Sequence, residues 1–152
     1  MPSLEEVMIA NAETGRPFSV LQVSRFSPEE FRIAIQALIA EDRDALAYSL
    51  GDAGLALHPE SEDILAVTSL LAVMREDWPQ AVDLLQQLID IQGDRATVFT
   101  HSMLIRALRC NLNFADALTA AGYALSAFPE HPELLKEYDA LAEAMGLGAV
   151  QR

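Results

Sequence analysis

The chain has 152 residues, enough for one domain or a short array of repeats. Hydrophobic residues are 51% of it and charged residues 22%, which supplies a packed core and argues against wholesale disorder. Acids outnumber bases 23 to 10, for a net charge of -13 that disfavours nucleic acid and anionic membrane faces and would steer a basic partner inward. A lone cysteine, Cys110, excludes an internal disulfide framework and fits a reducing compartment. The opening residues lack the positive start and apolar stretch of a secretory signal, and no apolar run is long enough to span a bilayer. A cytoplasmic location without membrane insertion is therefore expected. Lys136 is the only lysine among the basic residues, and the preference for arginine is read as a bias of the source genome.

Taken in chain order, Leu4, Val7 and Met8 share one face of a short helix that Gly15-Arg16-Pro17 should end. Phe18 to Phe26 is apolar and partly alternating, without a helical period. It is expected to form a strand or an extended strap, packed on its own domain or, alternatively, used as a dimer contact. Ser27-Pro28-Glu29-Glu30 is a helix start, with an N-cap serine, proline at the first helical position and acids where the dipole favours them. Phe31, Ala34, Ile35, Leu38 and Ile39 follow at helical spacing. After Asp42-Arg43-Asp44 a second helix runs to Leu57-His58-Pro59, and Ser61-Glu62 opens a third, Ile64 to Met74. Trp78-Pro79 begins a fourth that ends near Gly93. Further helices are predicted from Thr97 to Cys110, Phe114 to Phe128 and Pro132 to Met145, the last stopped by Gly146. No strand pattern follows residue 27, so the body is all-α.

The predicted helices pair at a fixed period. Asp42-Arg43-Asp44-Ala45-Leu46-Ala47, Asp77-Trp78-Pro79-Gln80-Ala81 and Asn113-Phe114-Ala115-Asp116-Ala117 are each a turn leading into a second helix with a small residue at its closest-packed point. The alanines at 47, 81 and 117 are 34 and 36 residues apart. Gly54-Leu55-Ala56-Leu57-His58-Pro59 and Ala124-Leu125-Ser126-Ala127-Phe128-Pro129 close the outer units in parallel. This pattern resembles the tetratricopeptide repeat, a 34-residue helix-turn-helix unit that stacks into a superhelix. The resemblance covers residues 28–131 as three units, with 1–27 an N-terminal segment and 132–152 a capping helix and tail. Phe31, Leu65 and His101 depart from the family's usual tryptophan, Ser69 and Ile105 from its glycine or alanine, and Gly51 from its aromatic. Two extra residues near Gly93-Asp94 separate the second and third units. Two glycines in one helix, Gly51 and Gly54, should cost it about 1–2 kcal/mol against alanine.

The resemblance implies a concave groove lined by the first helix of each pair. Its residues would be Arg32, Gln36 and Ile39; Asp63, Ala66, Leu70, Val73 and Met74; and Phe99, Ser102, Arg106 and Arg109. Such a surface offers an apolar middle to a partner's hydrophobic anchor and arginines to its carboxylates or carbonyls. The competing reading is that Arg106 and Arg109 only pair with neighbouring acids on a solvated face. The family's carboxylate-clamp variety needs lysines and asparagines on these faces, which are lacking. A narrower resemblance is to the class II chaperones of type III secretion systems, carried by Leu88-Ile89-Asp90-Ile91 with Arg95, Phe99 and Arg106-Ala107-Leu108.

Little points to chemistry. His58, His101, His131 and Cys110 have no metal-ligand spacing, and no metal or other cofactor is expected. His58 and His131 each precede a proline at a helix end, where a cation favours the C-terminal dipole, and a capping or loop role is expected for both. His101 and Cys110 are read as core, and Trp78 as packing the turn between paired helices. The acid pairs Glu29-Glu30, Glu62-Asp63 and Glu76-Asp77 lie at helix starts and turns, where they stabilise without catalysis. The function expected is a non-enzymatic adaptor or chaperone that binds a protein or peptide segment in its groove, with a homodimer through the N-terminal segment as a further expectation. The alternatives are a secretion chaperone for a translocator or needle client, and a structural subunit of a larger assembly.

Overall fold

The computed structural model describes residues 2–15 and 19–147. The expectations that touch Arg16, Pro17 and Phe18, and the tail from 148 to 152, lie outside the described residues. Helix starts follow local chemistry. Ser3, Ser27, Ser61, Asp77 and Thr97 each cap a helix, their side chains accepting a backbone N–H. These caps open α1 (Leu4–Thr14), α2 (Pro28–Ala40), α4 (Glu62–Met74), α5 (Trp78–Gln92) and α6 (Val98–Cys110). The helices α3 (Asp44–Leu57), α7 (Phe114–Ala127) and α8 (Pro132–Ala144) begin without a side-chain cap. Gly15 ends α1 in the left-handed region, as its sequence position implied.

The predicted strand or strap is corrected at one point. Among the described residues there is no strand, and Val20–Val23 forms a 3-10 turn held by a capping box between Ser19 and Gln22. The expectation that the segment packs on its own domain fits: Val23 and Phe26 are buried in the same core as Leu4 and Met8. The apolar, partly alternating pattern misled because Val20 and Leu21 are exposed, whereas the buried side chains, Val23 and Phe26, stand three residues apart.

The chain divides into two compact units, 1–75 and 76–152. In the first, α2 packs against α1, α3 and α4. Its core joins Phe31, Ile35 and Leu38 of α2 to Leu50 of α3 and Ile64 and Leu71 of α4. The two glycines of α3 are spacers. A Cβ on Gly51 would sit 2.8 Å from Leu71 Cδ1, and one on Gly54 would lie 3.0 Å from Ile64 Cδ1 and 3.1 Å from the Phe31 ring. The helix tolerates their low propensity because the neighbours occupy the space a side chain would need. In the second unit α6 packs against α5 and α7, and α8 against α7. There the close approach is made by fully buried Ala117, Ala121 and Ala124 of α7. Residues 93–95, where the two extra residues between repeats fall, form a 3-10 turn that leads Ala96 into the interior.

The repeats recur in backbone detail. Asp42, Glu76 and Leu112, again 34 and 36 residues apart, all adopt positive φ, at 58°, 58° and 63°. Two of these turns are closed by matching bonds, Arg43 N–H to Leu38 O and Asn113 N–H to Leu108 O, both 2.8 Å. The closing phrases match as well: His58 N–H donates to Gly54 O and Phe128 N–H to Ala124 O, at 2.8 and 2.9 Å.

Candidate protein-binding surfaces

In the first unit the named residues form a strip on α2 and α4. Arg32, Gln36 and Ile39 stand at i, i+4 and i+7 of α2, and Ala66, Leu70, Val73 and Met74 at matching spacing on α4. None of them is buried, and Leu70 and Met74 keep 37% and 45% of their surface exposed. Arg32 links the two helices. Its guanidinium lies 3.4 Å from Asp63 and 3.7 Å from Glu29, and donates to Gln36 Oε1 at 3.4 Å. The strip is thus an apolar run on α4 bordered by an arginine already engaged by carboxylates.

In the second unit Phe99, Ser102, Arg106 and Arg109 line one small cavity of about 240 Å³. Met103 and two acids of α8, Glu133 and Glu137, complete it. Phe99 is 62% exposed, and Arg109 ion-pairs with Glu137. Arg106 instead lies over the Trp78 ring, 5.9 Å from its centroid, and among the described residues no carboxylate pairs with it. The solvated-face reading therefore describes Arg109 and not Arg106. Trp78, expected to pack the turn between paired helices, is half-buried and lies beneath the arginine. Reading α6 alone missed Glu133 and Glu137, although their i, i+4 spacing places both on one face of α8.

The other singled-out residues divide. His101 is buried as expected, 4% exposed, with its ring against Tyr123 and Phe128 at 5.9 and 6.1 Å. Burial disfavours the imidazolium and lowers its pKa below the usual 6.5. His58 closes α3 as expected, with its Nε2 3.3 Å from Phe26 O. His131 keeps a cap position in the connection between α7 and α8, but at the other end from the one expected. There α7 ends at Ala127 and His131 is the N-cap residue of α8, without a side-chain cap bond, so the C-terminal dipole argument does not apply to it. Cys110 is exposed, contrary to the core expectation. It lies one turn after Arg106, on the solvent side of α6, whereas the buried stripe is His101, Leu104, Ile105 and Leu108. Among the described residues no cluster of His, Cys, Asp and Glu could hold a metal ion, and no helix is long and apolar enough to cross a membrane.

Solved structures of MamA share this architecture. One titled MamA AMB-1 aligns with a TM-score of 0.72 at 19% identity, over 94% of this chain and 81% of its own. A MamA point mutant gives 0.71 at 19% identity over 94% and 86%, and MamA MSR-1 gives 0.71 at 20% over 93% and 84%. The chain has a TPR-like helical-repeat fold. Identities this low speak to the fold alone. No protein-family model matches the sequence, and no curated protein matches it. Phe31, Leu65 and His101, the departures from the usual repeat pattern, are nonetheless all core residues of this TPR-like fold.

Proposed function

We propose that the protein is a non-enzymatic interaction module, an adaptor or chaperone, that binds segments of another protein on the first-helix faces of its repeats. One observation carries this reading: Phe99, a large apolar side chain left 62% exposed, shares a cavity with Arg106 and Arg109. A side chain of that size in solvent costs free energy that a partner's apolar anchor would recover, while Arg106 remains able to take a carboxylate or carbonyl. Arg32 and Arg109 would have to exchange their present acid partners for those of the ligand. Leu70, Val73 and Met74 offer a comparable apolar run in the first unit.

The homodimer proposal rests on the N-terminal segment, whose Val23 and Phe26 are committed to the core while Val20 and Leu21 are exposed apolar side chains among its described residues. The secretion-chaperone reading draws no support from the structural likenesses, and no observation favours a purely structural subunit. The test is a pull-down from the native cell extract with wild type, Leu70→Glu and Arg106→Glu. A band lost or weakened in each variant, with helicity retained and a binding loss of about 1 kcal/mol or more each, is the expected result. Identical bands in all three would move the binding surface away from these faces.

A further inference from the structure

The second unit has another concavity, formed by different residues. It is a cleft of about 610 Å³ between α5 and α7, floored by α6. The α6 residues that form the floor are His101, Leu104 and Leu108. They lie on the face of α6 opposite to Phe99, Ser102, Arg106 and Arg109, because positions such as 104 and 106 are about 200° apart around a helix. The cleft is therefore distinct from the surface assigned above, and neither depends on the other.

Three features define what it would take. Its size falls within the roughly 300–1,000 Å³ typical of binding clefts, and the leucine floor is walled on one side by exposed Tyr123. Its rim is acidic, with Asp83 and Asp90 on α5 and Asp116 on α7, and among the described residues no Arg or Lys lines it. The first two carboxylates accept from Gln87 and Gln86, and among the described residues none of the three pairs with a cation. Finally, a nine-tenths buried polar side chain lies in the floor: His101 makes ring contacts with Tyr123 and Phe128, and its imidazole has no hydrogen-bond partner among the described residues.

We propose that this cleft is a second docking surface, for a basic amphipathic helix of another protein. Asp83 and Asp90 are two helical turns apart on α5, so a ligand helix lying along α5 would meet them with Lys or Arg at positions i and i+7, about 10 Å apart. The apolar side chains between those positions would enter the cleft onto Leu104, Leu108 and Tyr123, and Asp116 would hold a basic residue from the α7 side. A polar group of the ligand could bond the His101 ring. A second copy of this chain is a poor occupant, since with 23 acids against 10 bases it would meet the acidic rim with like charge.

The test uses the full chain and a fluorescein-labelled helical peptide of about 18 residues, five turns, built of a leucine stripe with lysines elsewhere. A second peptide keeps the leucines and replaces every lysine with glutamine. Binding is followed by fluorescence anisotropy at roughly 0.15 M salt, where long-range attraction is screened. The lysine peptide should bind and the glutamine peptide bind far more weakly. The surface variant Asp83→Asn/Asp90→Asn should weaken the lysine peptide by about tenfold, and Tyr123→Ala should weaken it severalfold. The control Glu13→Gln/Glu60→Gln, with the same change in net charge in the first unit, should leave it within about twofold. Equal losses in the two double variants would mean attraction to the overall charge and would overturn the proposal. Equal affinity for the two peptides would overturn it too, as would sedimentation showing that the protein self-associates and that the lysine peptide dissociates it.

Discussion

Phe31 and His58 in the first unit, and His101 and Phe128 in the second, stand at equivalent repeat positions 70 residues apart, with their identities exchanged. Both pairs meet edge to face, at 5.7 Å and 77° in the first unit and 6.1 Å and 69° in the second. The inner member is fully buried Phe31 in one and His101 in the other, and the outer member closes the second helix of the pair. The same packing solution thus carries two chemistries. With histidine outside, the imidazole reaches Phe26 O and ties the N-terminal segment to the repeat. With histidine inside, a titratable group is held in the core at the floor of a cleft. A repeat can exchange the residues of a contact while keeping its shape, and what changes is where the polar atoms end up.

The largest expected effect breaks the contact from the inside. Phe31→Ala should destabilise the first unit by about 3–5 kcal/mol, the range for truncating a buried phenylalanine, as read by urea denaturation. His101→Ala should cost less, because it removes a smaller ring whose burial is already opposed by desolvation of its nitrogens. Equal costs would show that the two pairs are not equivalent in the energetics of their units.

A smaller effect concerns the turns. Asp42 and Leu112 hold nearly the same positive φ, but aspartate tolerates that region and leucine does not. Leu112→Gly should relieve roughly 1–2 kcal/mol of Cβ strain against about 0.5–1 kcal/mol of added unfolded-state entropy. A modest net gain in melting temperature is expected, whereas Asp42→Gly should give none. A loss at position 112 would mean that the exposed leucine makes a contact worth more than its strain.

The smallest effect sharpens the comparison by pH. Because burial lowers the His101 pKa, the unfolded chain takes up its proton near pH 6.5 while the folded chain does not until lower pH. The unfolded state then binds more protons, so stability should fall as pH drops below about 6.5. In His101→Phe, which makes the inner residue the same as in the first unit, thermal melts should show that part of the acid dependence removed. An unchanged pH profile would assign the dependence to the carboxylates instead.

Much of this was legible along the chain because it is local. The caps at Ser27, Ser61, Asp77 and Thr97, the stops at Gly15 and Gly93, and the matched closing phrases depend on residues within a few positions of one another. The twelve candidate partner-binding residues are all at least partly solvent-accessible for the same reason, since helical periodicity separates inner from outer faces. Two local features were nonetheless misread. Cys110 looked like core because it is apolar and follows an apolar stripe, but the stripe had already turned past it. The segment at 20–23 looked extended because Val20, Leu21 and Val23 make it apolar without a helical period, although only Val23 of the three is buried.

Local chemistry thus decided which segments are helical, where each begins and stops, and that they recur at a repeat period. Tertiary packing decided what those helices present to a partner. It placed the α8 acids beside Arg109, put Trp78 under Arg106, brought Leu71, Ile64 and Phe31 close against Gly51 and Gly54, and opened a cleft whose three rim aspartates have no cation partner among the described residues. The physical reason is range: a cap or a turn is satisfied by neighbours in sequence, whereas a cavity and its charge exist only once helices dozens of residues apart have packed.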